Sequence, residues 1–169
     1  MSEKAKILII DDNEDLLETL SDILHEKGYW VETATTGKEA LAKAKEQFFN
    51  IALVDIKLPD MTGLQVLRTF RERHPFTMNI IITAYATLEN AVDSVNLGAN
   101  AYIMKPINHE NLDQMIKECL RKQQDALKIT QEKLVRLIDD TIEDKWEERR
   151  RRQELQKERE KMISKLYST

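Results

Sequence analysis

At 169 residues, 41% of them hydrophobic, the chain can hold one ordinary domain with its own core plus an appendage. No apolar run approaches a membrane span or a signal-peptide core, one cysteine (Cys119) excludes an intramolecular disulfide, and three scattered histidines argue against a zinc cluster, so a cytoplasmic protein is expected. The net charge of -4 divides unevenly: residues 1–120 hold 12 Lys and Arg against 19 Asp and Glu (-7), residues 121–169 hold 14 against 11 (+3), and a division into domains 1–120 and 121–169 is expected there.

In chain order, KILII (6–10) reads as a strand closed by two adjacent carboxylates, Asp11 and Asp12. A helical face follows at Leu16, Leu17, Leu20, Ile23 and Leu24; WVETA (30–34), being more polar, is expected as an edge strand. Ala40, Leu41, Ala44 and Phe48 pattern a second helix, IALVD (51–55) a strand, and Leu64, Leu67 and Phe70 a third helix. NIIIT (79–83) is again a strand, Leu88, Ala91, Val92 and Val95 a helix, AYIMK (101–105) a strand, and Leu112, Met115, Ile116, Cys119 and Leu120 a helix. Apart from the second, these strands are apolar on both faces, as in a sheet covered on both sides. Five strands alternating with five helices predict an α/β fold, a doubly wound parallel sheet whose functional crevice lies beyond the C-terminal strand ends.

All three prolines and all four glycines lie at or before Pro106, so nothing after it forbids helix. Leu120, Leu127 and Leu134, then Ile138, Ile142 and Trp146, mark a partial coiled-coil seam that lapses after Glu147 and weakly resumes at Leu155, Met162 and Leu166. Asp140 with Glu143 could form a capping box, which leaves one continuous helix or two open. Arg149 to Arg152 invite a nucleic-acid reading, but flanking acids and the absence of an aromatic platform beyond Trp146 argue against direct binding, and no sustained apolar face favours a membrane.

The predicted crevice gathers Asp11 and Asp12, Asp55, Thr83 and Lys105, each closing a strand. A cap or turn explains any one of them, but not all at one edge. Three carboxylates suit a hard divalent cation, Mg²⁺ best, and a lysine with a hydroxyl beside them suits an incoming phosphoryl group. There is no P-loop, and a carboxylate can itself be the nucleophile; Asp55, single and central, is the candidate.

The pair at 11 and 12, LVDIKLPDMTG (53–63), TAYA (83–86) and YIMKP (102–106) together resemble the receiver domain of two-component response regulators over about residues 4–120. That resemblance implies a CheY-like sheet of order 2-1-3-4-5, with Asp55 as phosphoacceptor. It implies Mg²⁺ held by Asp11, Asp12, Asp55 and the Lys57 backbone carbonyl, and Lys105 on the phosphoryl group. Thr83 and Tyr102 would be the switch pair, and the Lys105–Pro106 bond would be cis. Lys57 and Tyr85 would flank the path of the hydrolytic water, and the bulk of Tyr85 predicts slow self-dephosphorylation. The expected partner is a sensor histidine kinase or phosphotransfer protein, and the chain is expected to be a phosphoacceptor rather than an enzyme. For output, three classes stay open: self-association or protein docking through the helical tail, a dimerising linker of a longer transcription regulator, or a phosphate relay or sink.

Overall fold

The structure, a computed structural model, describes residues 4–167; the outermost ends of the two expected domains lie outside them. The elements run β1 (Lys6–Ile10), α1 (Glu14–Glu26), β2 (Trp30–Ala34), α2 (Gly37–Glu46), β3 (Ile51–Val54), α3 (Gly63–Arg73), β4 (Met78–Thr83), α4 (Leu88–Asn96), β5 (Ala101–Met104) and α5 (His109–Leu166). All pairings are parallel and the sheet order is β2-β1-β3-β4-β5, as the resemblance implied. The chain forms two compact units, Met1–Asp125 and Ala126–Thr169.

Side chains alternate across each strand, so one run of apolar residues feeds two cores. Ile7 and Ile9 point into a core with Leu17, Leu20 and Leu24 of α1 and Leu112 and Ile116 of α5. Leu8 and Ile10 point into the other, with Ala40 and Ala44 of α2 and Val66, Leu67 and Phe70 of α3. The helices start where short polar side chains satisfy free N–H groups: Asn13 accepts from Leu16, Thr36 from Glu39, Thr62 from Gln65 in a full capping box, Thr87 from Asn90, and Asn108 from Glu110 and Asn111.

Asn13, and not Asp11 or Asp12, caps α1, so a helix cap does not explain the paired carboxylates. Three expectations need correction. Phe48 does not complete the face of α2: the helix ends at Glu46, the chain continues extended, and the next side chain, Phe49, turns into the core instead. The face of α4 formed by Leu88, Val92 and Val95 points to solvent, while Asn90 and Ala91 are half-buried and Ser94 is fully buried, its hydroxyl donating to Asn90 O at 2.6 Å. β5 is the second edge of the sheet, which leaves Met104 exposed.

The first unit reaches Asp125 because Gln123 is buried at its end. Its Nε2 donates to the carbonyls of Asn50 (3.0 Å) and Phe76 (2.6 Å), and its Oε1 accepts from Asn50 Nδ2 at 2.9 Å. α5 is one helix of 58 residues, so Asp140 and Glu143 lie inside it and cap nothing.

Candidate functional site

Asp11 directly follows β1 and Asp55 directly follows β3, and because the two strands are neighbours in register, Ile10 opposite Val54, the carboxylates arrive side by side. Asp12 joins them from the turn into α1. One oxygen from each of Asp11, Asp12 and Asp55 falls within 4.8 Å of the others, with Asp11 and Asp55 buried and Asp12 exposed. Lys105 follows β5; its backbone N–H donates to Thr83 O at 2.9 Å, and the Lys105–Pro106 bond that follows is cis. Its Nζ lies 2.5 Å from Asp11 Oδ2 and 3.3 Å from Asp55 Oδ2.

Three carboxylates against one ammonium leave this pocket net negative. Burial pushes the Asp55 carboxyl above its ordinary range, Lys105 pulls it back, and Asp11 raises it again. Burial works against the charge of Lys105, but its hydrogen bond and attraction to Asp11, with Asp55 behind, hold its pKa above the usual lysine value. A small, hard, oxygen-seeking dication is what such a donor set fits, and Mg²⁺ accepts one or two carboxylates while keeping waters.

The loop after β3 is shaped around Asp55. Gly63 packs so closely that a Cβ there would stand 2.1 Å from the carbonyl oxygen of Asp55, and its N–H donates to Ile56 O at 2.7 Å. Within the loop, Asp60 accepts the N–H groups of Gly37 and Lys38, both at 2.9 Å, and so caps α2 from another element. Neither residue stood out in the sequence as more than part of the quoted stretch LVDIKLPDMTG, because close approach and long-range capping leave no periodic signal.

Thr83 is fully buried at the end of β4, and its Oγ1 accepts the N–H of Tyr85 at 3.1 Å. Tyr85 is exposed; the Lys57 Nζ lies 3.4 Å from its hydroxyl and 4.4 Å from its ring centroid. Asn90 Nδ2 donates to the Tyr85 carbonyl at 3.3 Å, tying that residue to α4. Tyr102 is set apart from the carboxylates: its ring packs on the core shared with α2 and α3, its hydroxyl is buried without a hydrogen bond among the described residues, and burial raises its pKa.

The sequence matches the response regulator receiver domain family over residues 7–117. It is similar to a receiver domain protein (CheY-like) from Methanospirillum hungatei, at 47% identity and a TM-score of 0.72 over 73% of this chain and 99% of that one. It is also similar to the response regulator TrrA of Thermotoga maritima, solved with Mg²⁺ and beryllofluoride, at 30% identity and a TM-score of 0.63 over 68% of this chain and 98% of that one. The transcriptional regulatory protein ZraR of Escherichia coli is 32% identical over 118 residues, which span 70% of this chain and 27% of that relative's length.

Proposed function

The chain belongs to the response regulator receiver domain family, and from that premise we propose that it accepts a phosphoryl group from a sensor histidine kinase or phosphotransfer protein onto Asp55 in the cytoplasm, with Mg²⁺ as cofactor. The observation that carries this reading is the convergence of Asp11, Asp12 and Asp55 within 4.8 Å, with the Lys105 Nζ 3.3 Å from Asp55. Asp11, Asp12, Asp55 and the Lys57 backbone carbonyl are the residues proposed to hold Mg²⁺. When bound, the ion supplies positive charge against the equatorial oxygens of the transferring group.

The chain's own groups do the rest. A carboxylate oxygen of Asp55 attacks phosphorus as the bond to the donor nitrogen breaks, and the nitrogen leaves with its electron pair. Lys105 neutralises charge on the group that arrives, and its present contacts with Asp11 and Asp55 keep it aimed there. The Thr83 hydroxyl already accepts from Tyr85, so its own proton is free to donate to a phosphoryl oxygen. The shift of Thr83, with the Tyr102 ring behind it, biases two states of the fold, and phosphorylation moves that balance only by its differential interaction with the two. Receiver domains are regulatory phosphoacceptors; self-phosphorylation from small donors and self-dephosphorylation are the activities proposed for this one.

Acetyl phosphate with Mg²⁺ should label the chain on Asp55. Asp55→Asn should abolish the label, and persistent labelling would refute the assignment. Tyr85 touches Lys57, two residues beyond Asp55, and its bulk is proposed to narrow the approach to Asp55. Tyr85→Ala should therefore shorten the life of the aspartyl phosphate, and an unchanged half-life would remove Tyr85 from the hydrolytic path.

For output we propose the helical tail, residues 121–169, as a surface for self-association or for docking another protein; every described side chain from Ala126 to Tyr167 is exposed. The match to 27% of ZraR supports a second reading, a receiver with the linker of a longer transcription regulator. Deleting residues 126–169, which keeps Gln123 in the first unit, should abolish the cellular response in either case, and an unaffected response would leave the chain as a phosphate relay or sink.

A further inference from the structure

The loop between β3 and α3 carries one of the contacts proposed for Mg²⁺, the backbone carbonyl of Lys57. The loop is closed at its base: Lys57 bridges antiparallel to Thr62, and the Gly63 N–H donates to Ile56 O at 2.7 Å. Its tip, Leu58 to Met61, lies beyond that closure in the chain. Leu58 is buried and Met61 packs half-buried against the core that holds α2 and α3. Apolar contact of this kind holds the tip down without fixing its direction, because hydrophobic burial is non-directional.

Direction comes from Asp60. Its Oδ1 accepts from Gly37 N–H and its Oδ2 from Lys38 N–H, both at 2.9 Å, while Thr36 Oγ1 accepts from the next N–H, that of Glu39, at 3.1 Å. The loop therefore supplies the acceptors for the first two N–H groups of α2, and the helix's own cap supplies the third. A carboxylate on successive N–H groups at a helix N-terminus makes directional, charge-assisted bonds and gains from the helix dipole. The apolar side of the same contact is close: a Cβ at Gly37 would stand 2.4 Å from Met61 Cγ, so only glycine at 37 lets the loop lie against α2 in this way. Asp60 itself is exposed and is not one of the three clustered carboxylates. Its contacts hold the loop; they do not enter the pocket.

Resting on the assignment of Mg²⁺ to Asp11, Asp12, Asp55 and the Lys57 carbonyl, we propose that Asp60 is a positioning residue for that ion. By clasping the N-terminus of α2 it orders the loop that bears Lys57 before the metal arrives. A backbone ligand on an unordered loop would incur that ordering cost at binding, and groups that orient a metal's ligands change its affinity by about tenfold or more.

The test compares Asp60→Ala with Thr36→Ala in the full chain. Both remove acceptors from the first turn of α2, but only the first cuts the tie to the loop. Calorimetric titration with Mg²⁺ alone should show about tenfold weaker binding in Asp60→Ala and less than about a twofold change in Thr36→Ala. Without metal, amide hydrogen exchange at Lys57, Leu58 and Met61 should quicken in Asp60→Ala and not in Thr36→Ala. An equal loss of Mg²⁺ affinity in Thr36→Ala would overturn the proposal, since the effect would then belong to the stability of α2. Unchanged loop exchange in Asp60→Ala would overturn it as well. No Mg²⁺ binding by the wild-type chain would refute the metal site and this proposal with it, whereas wild-type binding that Asp60→Ala leaves unchanged would refute the clasp alone.

Discussion

The receiver unit and the tail use the same charged side chains under opposite conditions. In the first, Asp11 and Asp55 are 3% and 6% exposed, and each faces Lys105 at a strand end. In the second, acids and bases are denser along the chain, yet all of them stand in water on one helix surface. Where water is excluded, an added charge or a lost partner changes protonation and ion affinity strongly; where it is not, the same change is screened. Charge density therefore does not locate the chemistry. Desolvation at a sheet edge does.

Matched substitutions in the two regions should sharpen that contrast. Phe70→Ala, which empties a fully buried site in the core that α3 shares with α2 and the sheet, should cost about 3–5 kcal/mol in urea unfolding, whereas Leu137→Ala on the tail should stay within about 0.5 kcal/mol. A comparable loss at Leu137 would mean that the tail is already packed on something. Gly63→Ala comes next: with no room beside the Asp55 carbonyl, the loop must move, at a cost of about 1–3 kcal/mol. Labelling by acetyl phosphate should fall with it, and retained labelling would show that Asp55 tolerates a displaced loop.

Asp113 offers a titration between these extremes. It is 8% exposed, and its hydrogen bond with Lys117 first, opposed by burial and aided by Lys27, holds its pKa below the usual carboxylate value. A pKa depressed by folding stabilises the native state above the unfolded value and loses that contribution as pH falls through the folded one. Asp113→Asn should cost about 1 kcal/mol near neutral pH, and the difference from wild type should begin to shrink below about pH 4 and vanish only below the depressed pKa of the folded state. A pH-independent difference would assign the cost to packing. The smallest effect belongs to the tail: Arg152→Ala should change stability by about 0.3 kcal/mol.

Much of the fold was legible because its signals are local. Short Ile- and Val-rich runs alternating with helical spacing define a parallel sheet, and the site residues are found by asking what immediately follows each run. Asp11, Asp12, Asp55 and Lys105 are all of this kind. The errors were places where a neighbour decides. Phe48 and Phe49 are adjacent and equally apolar, and only the end of α2 at Glu46 selects which enters the core. α4 carries an apolar face that the structure turns outward, and the residue it buries completely is Ser94. Gln123 reads as one more polar tail residue until Asn50 and the Phe76 carbonyl meet it.

The sequence by itself determined the alternation of elements, the strand-end placement of the carboxylates and the lysine, and the helical character of everything after Pro106, since periodicity, proline and glycine act within a few residues. Only the tertiary structure decided which carboxylates converge, that Gly63 must lack a side chain, that Asp60 caps α2, and that Tyr85 meets Lys57. These depend on groups distant in sequence arriving within hydrogen-bonding reach. Such contacts are fixed by the register and twist of the whole sheet, which no single segment encodes.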